Sequence, residues 1–484
     1  MSSTQTPTRP SEDSSRRDAG FRGFLRSSAI FTVGPVVGRV LGLLVVPFVV
    51  DTLGPEDFGR FELLSTAASA LASVLLIGLD LSAISVFHRP AGRDSKRVFP
   101  SALAVAAILG AIAVVTIAFG RNGLSATFLG DTTYGMAVLM VGLYGLVSVV
   151  GLVGRAALRA AERASQHSVV SATSSIVTTL LVIGVIVAGG SLGEIMAAHV
   201  AGAAIGALLA LWLARDLFAA PPQSEIGRAL LVLGVPQLLA IAALWGGEVG
   251  HRTILNELVG PEAVGALGIG ARIALALGFV VIALQSAWHP RVFDLLERDD
   301  GLAIVTKDAV RIGAVLSVAA VLLAWLAAPG VAYLGRGEFT TDATAIAGWM
   351  IVMVTGTGFL HLATLHSVTE RKFGDTTIAL LVGLGVSVVI AAWLVPGSGM
   401  LSGGVGSAVA LASSQWIAAA VGWVLAGRGK SLQLSLRTVT PALIAMPACV
   451  IVTSGAGLVS KLAIAVAALG LAAMQLWGTR PTAG

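Results

Sequence analysis

Two arginines lie in apolar surroundings, one in each half of the sequence. Arg39 is flanked by Gly38 and Gly42, whose four-residue spacing predicts a bare glycine face that lets another helix approach closely. Arg272 follows Gly268 by four residues. A charge at the centre of a bilayer costs at least about 2.5 kcal/mol, so such a residue is a candidate for a functional site. A guanidinium matches phosphate oxygens through paired hydrogen bonds. If both arginines face one cavity, an anion between them relieves their repulsion, so the pair predicts a diphosphate-binding site.

A structural role is the alternative for both arginines, because each can pair with a nearby acid or carbonyl and lock the helices together. Their chemistry alone leaves both readings open. The deciding observation is the set of groups that surround each guanidinium.

Further charged residues are candidates for a gate or for ion coupling. Glu248 and Arg252 are four residues apart with the acid first, a favourable order for an intrahelical pair, and we interpret them as a structural ion pair or an outer gate. Arg60 and Glu62 begin the second apolar segment at the outer surface, where solvated helix ends are the alternative. Asp80, near the cytoplasmic end of that segment, is a candidate for binding a coupling ion.

Several kinds of chemistry have no motif in this chain. There is no GxxxxGK[ST] phosphate loop and no HExxH or CxxC motif. His199, His361 and His366 are scattered, and the last two fall on different helix faces. The single Cys449 excludes an intrachain disulfide. We therefore predict no enzyme activity, no cofactor and no bound metal, and an energy supply from a Na⁺ or H⁺ gradient, the membrane potential or consumption of the product.

Composition indicates the elements that carry these residues. Hydrophobic residues make up 56% of the chain and charged residues 12%, with a mean hydropathy of +0.90, which indicates an integral membrane protein. Period-2 alternation is absent, so the spans must be helices and the fold class is an all-α polytopic membrane protein. We predict about 14 transmembrane helices, at 27–50, 60–87, 98–120, 133–154, 167–189, 192–214, 229–254, 263–288, 309–333, 344–367, 376–396, 401–426, 438–455 and 458–478.

Basic residues predict the orientation of these spans. Most Lys and Arg fall in loops on one side, including clusters at 89–97, 155–163 and 428–437, so both termini are predicted to be cytoplasmic. The sequence pI of about 9.8 then reflects topology rather than nucleic-acid binding. The outer loops are short, which argues against membrane glycosyltransferases, ligases and polymerases.

A repeated turn divides the chain. Leu53-Gly54-Pro55-Glu56, followed by Gly59, returns as Val259-Gly260-Pro261-Glu262, followed by Gly265. Two halves of six helices in the same orientation are expected, related by an axis along the membrane normal, with a cleft between them. The predicted segments are a disordered cytoplasmic tail at 1–26, an N-terminal six-helix lobe at 27–214, a cytoplasmic linker at 215–228, a C-terminal six-helix lobe at 229–426, and a helix pair with tail at 427–484.

These turns and the helical plan resemble the multidrug/oligosaccharidyl-lipid/polysaccharide (MOP) exporter superfamily, specifically its polysaccharide biosynthesis or O-antigen-type (Wzx-like) flippases. Arg39-Val40-Leu41-Gly42 is similar to a first-helix motif of the lipid II flippase branch, in which that arginine is implicated in cargo transport. That branch has another arginine where this chain has Val45. The resemblance implies a V-shaped, two-lobed cavity that opens alternately to either side, and a cargo other than lipid II.

Together these features predict a flippase in the cytoplasmic membrane. It would translocate a polyprenyl-diphosphate-linked oligosaccharide for surface polysaccharide biosynthesis by alternating access. The expected partners are this lipid-linked glycan, membrane lipids, a coupling cation and other polysaccharide assembly proteins, but no nucleic acid. Two alternatives stay open: a cation-coupled multidrug antiporter of the same superfamily, and a noncatalytic membrane scaffold for glycan assembly.

Overall fold

A computed structural model describes residues 11–88, 95–296, 301–339, 341–365, 373–426, 440–454 and 457–478. Regular structure within these ranges is helical throughout. The helices of the first half are α1 (Ser11–Leu76), α2 (Leu79–Phe87), α3 (Ser95–Leu129), α4 (Gly135–Ala160), α5 (Ala164–Val187) and α6 (Leu192–Leu213). Those that follow are α7 (Ser224–Leu258), α8 (Pro261–Leu296), α9 (Gly301–Trp325), α10 (Ala327–Leu334), α11 (Thr341–Ala363), α12 (Phe373–Leu394), α13 (Gly403–Ala426), α14 (Thr440–Thr453) and α15 (Leu458–Gly478).

The helices have the length and apolarity of membrane spans, so this is a multi-pass membrane protein. Within the described ranges ten helical segments can cross a bilayer, and the bent helix α7 would add an eleventh. The longest segment, Val36–Phe87, contains the second predicted span, 60–87, and most of the first, 27–50. Shorter apolar helices at Ala442–Thr453 and Val459–Ala468 fall where the last two spans are expected. The total of fourteen remains a prediction.

The repeated turn has a matching backbone role in each half. Gly54 adopts φ 72° and interrupts α1, and Gly260 adopts φ 119° immediately before α8. This left-handed region favours glycine, and the following Pro55 and Pro261 have the fixed φ that suits the first turn of a helix. The sequence therefore places a helix break at the same point of both repeats.

Glycines set the spacing between the first helices. Side chains added at Gly34 and Gly38 of α1 would overlap Ser168 and Ser175 of α5, so the two helices are in close contact there. Gly42, one turn further along, has open space beside it. The glycine face predicted for the first helix thus packs on α5 at one end and leaves a gap at the other.

The N-terminal segment differs from its prediction. Helix α1 begins at Ser11, so residues 11–26, expected as part of a disordered tail, are helical. They contain no proline, which permits a helix to continue into the first membrane span. Residues 1–10, most of the loop cluster at 89–97, the cluster at 428–437 and His366 lie outside the described residues. The remaining segment boundaries stay predictions.

The final helices pack on the second half. Helix α14 contacts α9 and α11, and α15 contacts α9 and α14. Cys449 of α14 is buried. This pair therefore lies away from α1 and α5, which leaves the contact between the halves to α1, α2, α3, α7, α8 and α10.

Candidate functional site

A cavity of about 270 Å³ lies among the helices of the first half and is reached by α8 of the second. Helices α1, α4, α5 and α6 supply most of its wall. The lining residues are Gly38, Gly42, Val45, Val46, Val49, Phe58, Phe61, Tyr144, Ser174, Ser175, Thr178, Thr179, Val182, His199, Ala203 and Arg272. The cavity follows directly from the small residues of α1, since Gly42 has no atom within van der Waals range beside it.

Helix α5 makes one wall of the cavity hydrophilic. Ser174, Ser175, Thr178 and Thr179 recur at a spacing of four, which places their hydroxyls on one face of the helix. The Ser174 hydroxyl donates a hydrogen bond to the carbonyl of Gly202 over 3.2 Å. The hydroxyls are donors and acceptors suited to water, a sugar or a phosphate group.

Arg272 is the charged residue of this wall, and its guanidinium is paired. Its Nε donates to Oε1 of Glu62 over 3.0 Å, and its Nη2 also bonds that oxygen. Glu62 is only 5% exposed. The interpretation of Glu62 as a solvated helix end is therefore wrong, because its carboxylate is buried against an arginine 210 residues further along the chain.

The Arg272 pair joins the two halves. Glu62 belongs to α1 and Arg272 to α8. Gly268 makes room for the acid, because a Cβ atom at this position would lie 2.6 Å from the carboxyl carbon of Glu62. The structural alternative raised for this arginine, pairing with an acid, is thus what its geometry shows. Arg272 therefore both lines the cavity and pairs with Glu62.

Arg39 occupies a different position from Arg272. Its guanidinium carbon lies over the ring of Phe279, 5.3 Å from the ring centroid, and the residue is exposed. Phe279 is on α8, so Arg39 faces the opposite half. The neighbouring Gly38 and Gly42 line the cavity, whereas Arg39 does not. The structure therefore does not bring the two arginines into one wall.

Arg60 is held in a small polar cluster on the predicted outer side. Its guanidinium pairs with Glu56 and, over 2.6 Å, with Asp57, and it lies over the Tyr134 ring at 4.8 Å. Its side chain is 15% exposed. The reading of Arg60 as a freely solvated end is wrong, since three groups fix it beside the Gly54 turn. It does not line the cavity.

The other charged candidates are also paired. Glu248 and Arg252 form the expected intrahelical pair at 2.5 Å, with Arg252 only 4% exposed. Asp80 accepts a hydrogen bond from Arg159 of α4 over 2.9 Å. Their roles in gating or ion coupling remain predictions. Within the described residues, no group of three or more His, Cys, Asp or Glu could hold a metal ion.

The two halves are in contact on the predicted outer side. Arg336, after α10, donates to Asp51 of α1 over 2.9 Å, and the rings of Phe58 and Phe339 lie 5.8 Å apart. A side chain at Gly59 would overlap the carbonyl of Pro261. Two residues of the repeated turns therefore touch across the boundary between the halves.

Residues 24–296 match the family model described as polysaccharide biosynthesis protein. The chain belongs to the polysaccharide biosynthesis protein family. This match covers the first half and the helices that carry Arg252 and Arg272. Among curated proteins, none matches the chain significantly.

Solved structures of other membrane proteins share the fold of this family member. The lipid II flippase MurJ, in an inward closed conformation, superposes with a TM-score of 0.71 at 12% identity, covering 93% of this chain and 99% of MurJ. An inward-facing multidrug resistance MATE family transporter gives 0.61 at 16% identity, covering 83% and 94%. A MOP superfamily transporter from Pyrococcus furiosus gives 0.56 at 16% identity, covering 84% and 94%.

Sequence reasoning missed several cavity residues of this polysaccharide biosynthesis protein. The cavity-lining hydroxyl residues of α5 appear in the sequence as Ser and Thr at a spacing of four inside an apolar segment. This pattern indicates a polar helix face. His199 lines the cavity and contacts the Phe61 ring at 5.5 Å. Nothing in the local sequence indicates that Glu62 meets Arg272.

Proposed function

We propose that this protein is a flippase that moves a polyprenyl-diphosphate-linked oligosaccharide across the cytoplasmic membrane by alternating access, for surface polysaccharide biosynthesis. One observation carries the proposal: a partly buried arginine in the wall of a cavity with one hydrophilic side is tied to a buried carboxylate of the other half. Membership of the polysaccharide biosynthesis family supports a glycan-related cargo.

Arg272 would bind the diphosphate by exchanging one anion for another. A diphosphate offers the guanidinium more charge and more acceptor oxygens than the Glu62 carboxylate does. When the guanidinium turns to the diphosphate, the link between α1 and α8 is lost. Binding of the head group is thereby coupled to separation of the halves on the outer side.

Glu62 would then supply the coupling to a cation. A carboxylate that loses its partner in a buried position is strongly destabilised, by about 3–5 kcal/mol. A proton or Na⁺ that joins Glu62 removes that penalty. Entry of the cation and release of Arg272 are consequently linked, which gives the cycle an ion dependence.

Arg39 would be the second contact for the phosphates. Phe279 occupies the face of its guanidinium, while the N–H groups at the edge are free of any hydrogen bond within the described residues. A stacked guanidinium keeps its planar donor edge in a fixed orientation. Arg39 can therefore hold a phosphate between the halves while the sugar enters the hydroxyl-lined cavity.

The test is transport in vesicles with a polyprenyl-diphosphate oligosaccharide, comparing the wild type with Arg39→Ala. We expect at least a tenfold loss of transport with normal incorporation into vesicles. Arg121→Ala is the matched control, because the Arg121 guanidinium bonds Met136 away from the cavity. Equal transport by Arg39→Ala and the wild type would contradict the proposed role of Arg39.

One observation favours the multidrug antiporter as a second candidate. Such an antiporter needs a buried carboxylate in the first half, and Glu62 is one. Its charge is balanced by Arg272, which leaves the cavity without the excess negative charge that attracts a cationic drug. Drug tolerance of cells that carry Glu62→Gln separates the two: lost tolerance with intact glycan export favours the antiporter.

A further inference from the structure

Arg155 lies on the same face of α4 as the cavity residue Tyr144. The two are eleven residues apart, about three helical turns, so their side chains point in nearly the same direction. Arg155 is about 16 Å further along the helix, toward the predicted cytoplasmic end. It therefore continues the interior face of the first half below the cavity.

The neighbours of Arg155 on α4 fix this direction independently. Gly151 and Gly154 touch Ala207 and Ala210 of α6. On the other flank, Arg159 of the same helix pairs with Asp80 of α2. Arg155 falls between these two contacts and so points toward the middle of the six helices.

Within the described part of the chain, the guanidinium of Arg155 has no counterion. Among the described residues it makes no hydrogen bond, ion pair or ring contact, although it is partly buried. Its nearest charged surroundings are positive or neutral, since Arg155 and Arg159 both act on His167, and Tyr144 is also within electrostatic range of Arg155. A partly buried positive charge without a partner is unfavourable, which indicates an anion that binds there.

We propose that Arg155, with Arg159 and His167 beside it, binds the phosphate of a lipid head group that enters from the cytoplasmic leaflet. Each charge contributes differently: the donors of Arg155 make no hydrogen bond to any described residue, whereas Arg159 is already partly neutralised by Asp80. The shared ligand chemistry is a phosphate ester, from either a polyprenyl diphosphate or an anionic phospholipid. Only the onward passage of the head group to the cavity depends on the proposed flippase function.

Binding of inorganic diphosphate tests the site without transport. The protein is placed in phosphatidylcholine nanodiscs in a background of Arg39→Gln, Glu62→Gln and Arg272→Gln, which removes the proposed cavity site without stranding a charge. We expect this background to bind diphosphate, Arg155→Gln to weaken binding at least tenfold, and Arg155→Lys to retain most of it. Unchanged binding by Arg155→Gln, or no binding by the background, would overturn the site.

Arg163→Gln is the matched control for charge and location. Arg163 is also a predicted cytoplasmic arginine, but Asp216 neutralises it, so its removal should leave diphosphate binding unchanged. If Arg163→Gln weakened diphosphate binding as much as Arg155→Gln does, general surface charge would explain the binding, which would contradict the proposal. Elution of each nanodisc sample as a single species confirms folding.

The source of the phosphate is distinguished by lipid composition. In nanodiscs that contain phosphatidylglycerol, weaker diphosphate binding that depends on Arg155 assigns the site to bilayer phospholipid. Unchanged binding assigns it to the diphosphate head group. Transport failure with intact Arg155-dependent binding would reject the flippase function alone, so the two failures are separable.

Discussion

The Glu62 carboxylate is buried and pairs with an arginine of the other half, so its charge affects both the stability of the protein and the proposed transport. Removing one partner of such a pair leaves an uncompensated charge, whereas removing both does not. The two kinds of variant therefore report different properties: the single variant reports stability and the double variant reports function.

Glu62→Ala should destabilise the protein by about 3 kcal/mol, the lower end of the range for a buried pair, because Arg272 is left partly buried without its counterion. Glu62→Gln combined with Arg272→Gln should recover most of that loss. Thermal unfolding in detergent measures both. A double variant as unstable as Glu62→Ala would show that packing around these side chains, rather than their charges, determines the effect.

At the residue scale, the sequence predicted which charges are unusual but not their partners. Arg39 and Arg272 are conspicuous because they interrupt apolar segments. The partner of Arg272 is 210 residues away, and no local pattern specifies such a tertiary contact. The intrahelical pair of Glu248 and Arg252 was predictable because a spacing of four is enough to bring their side chains together.

At the element scale, the two repeated turns contact each other across the boundary between the halves, at Gly59 and Pro261. The sequence predicted both turns and the glycine face of the first helix, since Gly-Pro pairs and four-residue glycine spacings are local signals. It could not predict that the turns meet, because that contact depends on how the halves associate.

Gly59→Ala should force the halves apart on the predicted outer side, because its methyl group would overlap the Pro261 carbonyl. Spin labels at Thr132→Cys and Ser398→Cys, both exposed positions, measure the separation. We expect a longer distance than in the wild type. The control is Gly184→Ala, where nothing lies within contact range. No change in distance for Gly59→Ala would contradict the outer contact.

The connection between α4 and α5 is tied to the end of α6 by an ion pair whose pH dependence can be measured. Arg163 donates to both Asp216 oxygens, over 2.8 and 2.5 Å. These hydrogen bonds hold the pKa of the Asp216 carboxyl below its ordinary value. The stabilisation is therefore complete above about pH 3.9, the ordinary pKa of Asp, and is lost as pH falls through the lowered value.

Asp216→Asn should lower stability slightly, by less than about 1 kcal/mol, because the pair is exposed. The difference between wild type and variant should shrink as the pH falls below 4. Thermal unfolding between pH 3 and pH 7 measures this. A difference that grows toward low pH would have the wrong sign for a carboxyl with a lowered pKa.

At the scale of the whole molecule, composition predicted an all-helical membrane protein, and the resemblance of its turns predicted the polysaccharide biosynthesis family; both are confirmed. Apolar segments long enough to cross a bilayer are an unambiguous signal. The placement of the cavity within the first half was not predictable in the same way. It arises where Gly42 of α1 leaves space opposite the hydroxyls of α5, which requires the packed helices.

Membrane potential should drive the proposed transport. Moving two negative charges outward from a negative interior is favoured by about 4.6 kcal/mol per 100 mV. Vesicles with an imposed potassium diffusion potential should therefore transport a polyprenyl-diphosphate glycan faster when the interior is negative. Equal rates at both polarities, with a rate that follows a Na⁺ or pH gradient, would mean that cations cancel the charge of the cargo.

In the proposed cycle, a diphosphate takes the place of Glu62 on Arg272. Vesicle transport of a polyprenyl-diphosphate oligosaccharide by Glu62→Gln with Arg272→Gln measures whether this exchange is needed. We expect this double variant to fold and incorporate like the wild type but to transport at least tenfold more slowly. Transport at the wild-type rate by this neutral pair would contradict the proposed exchange.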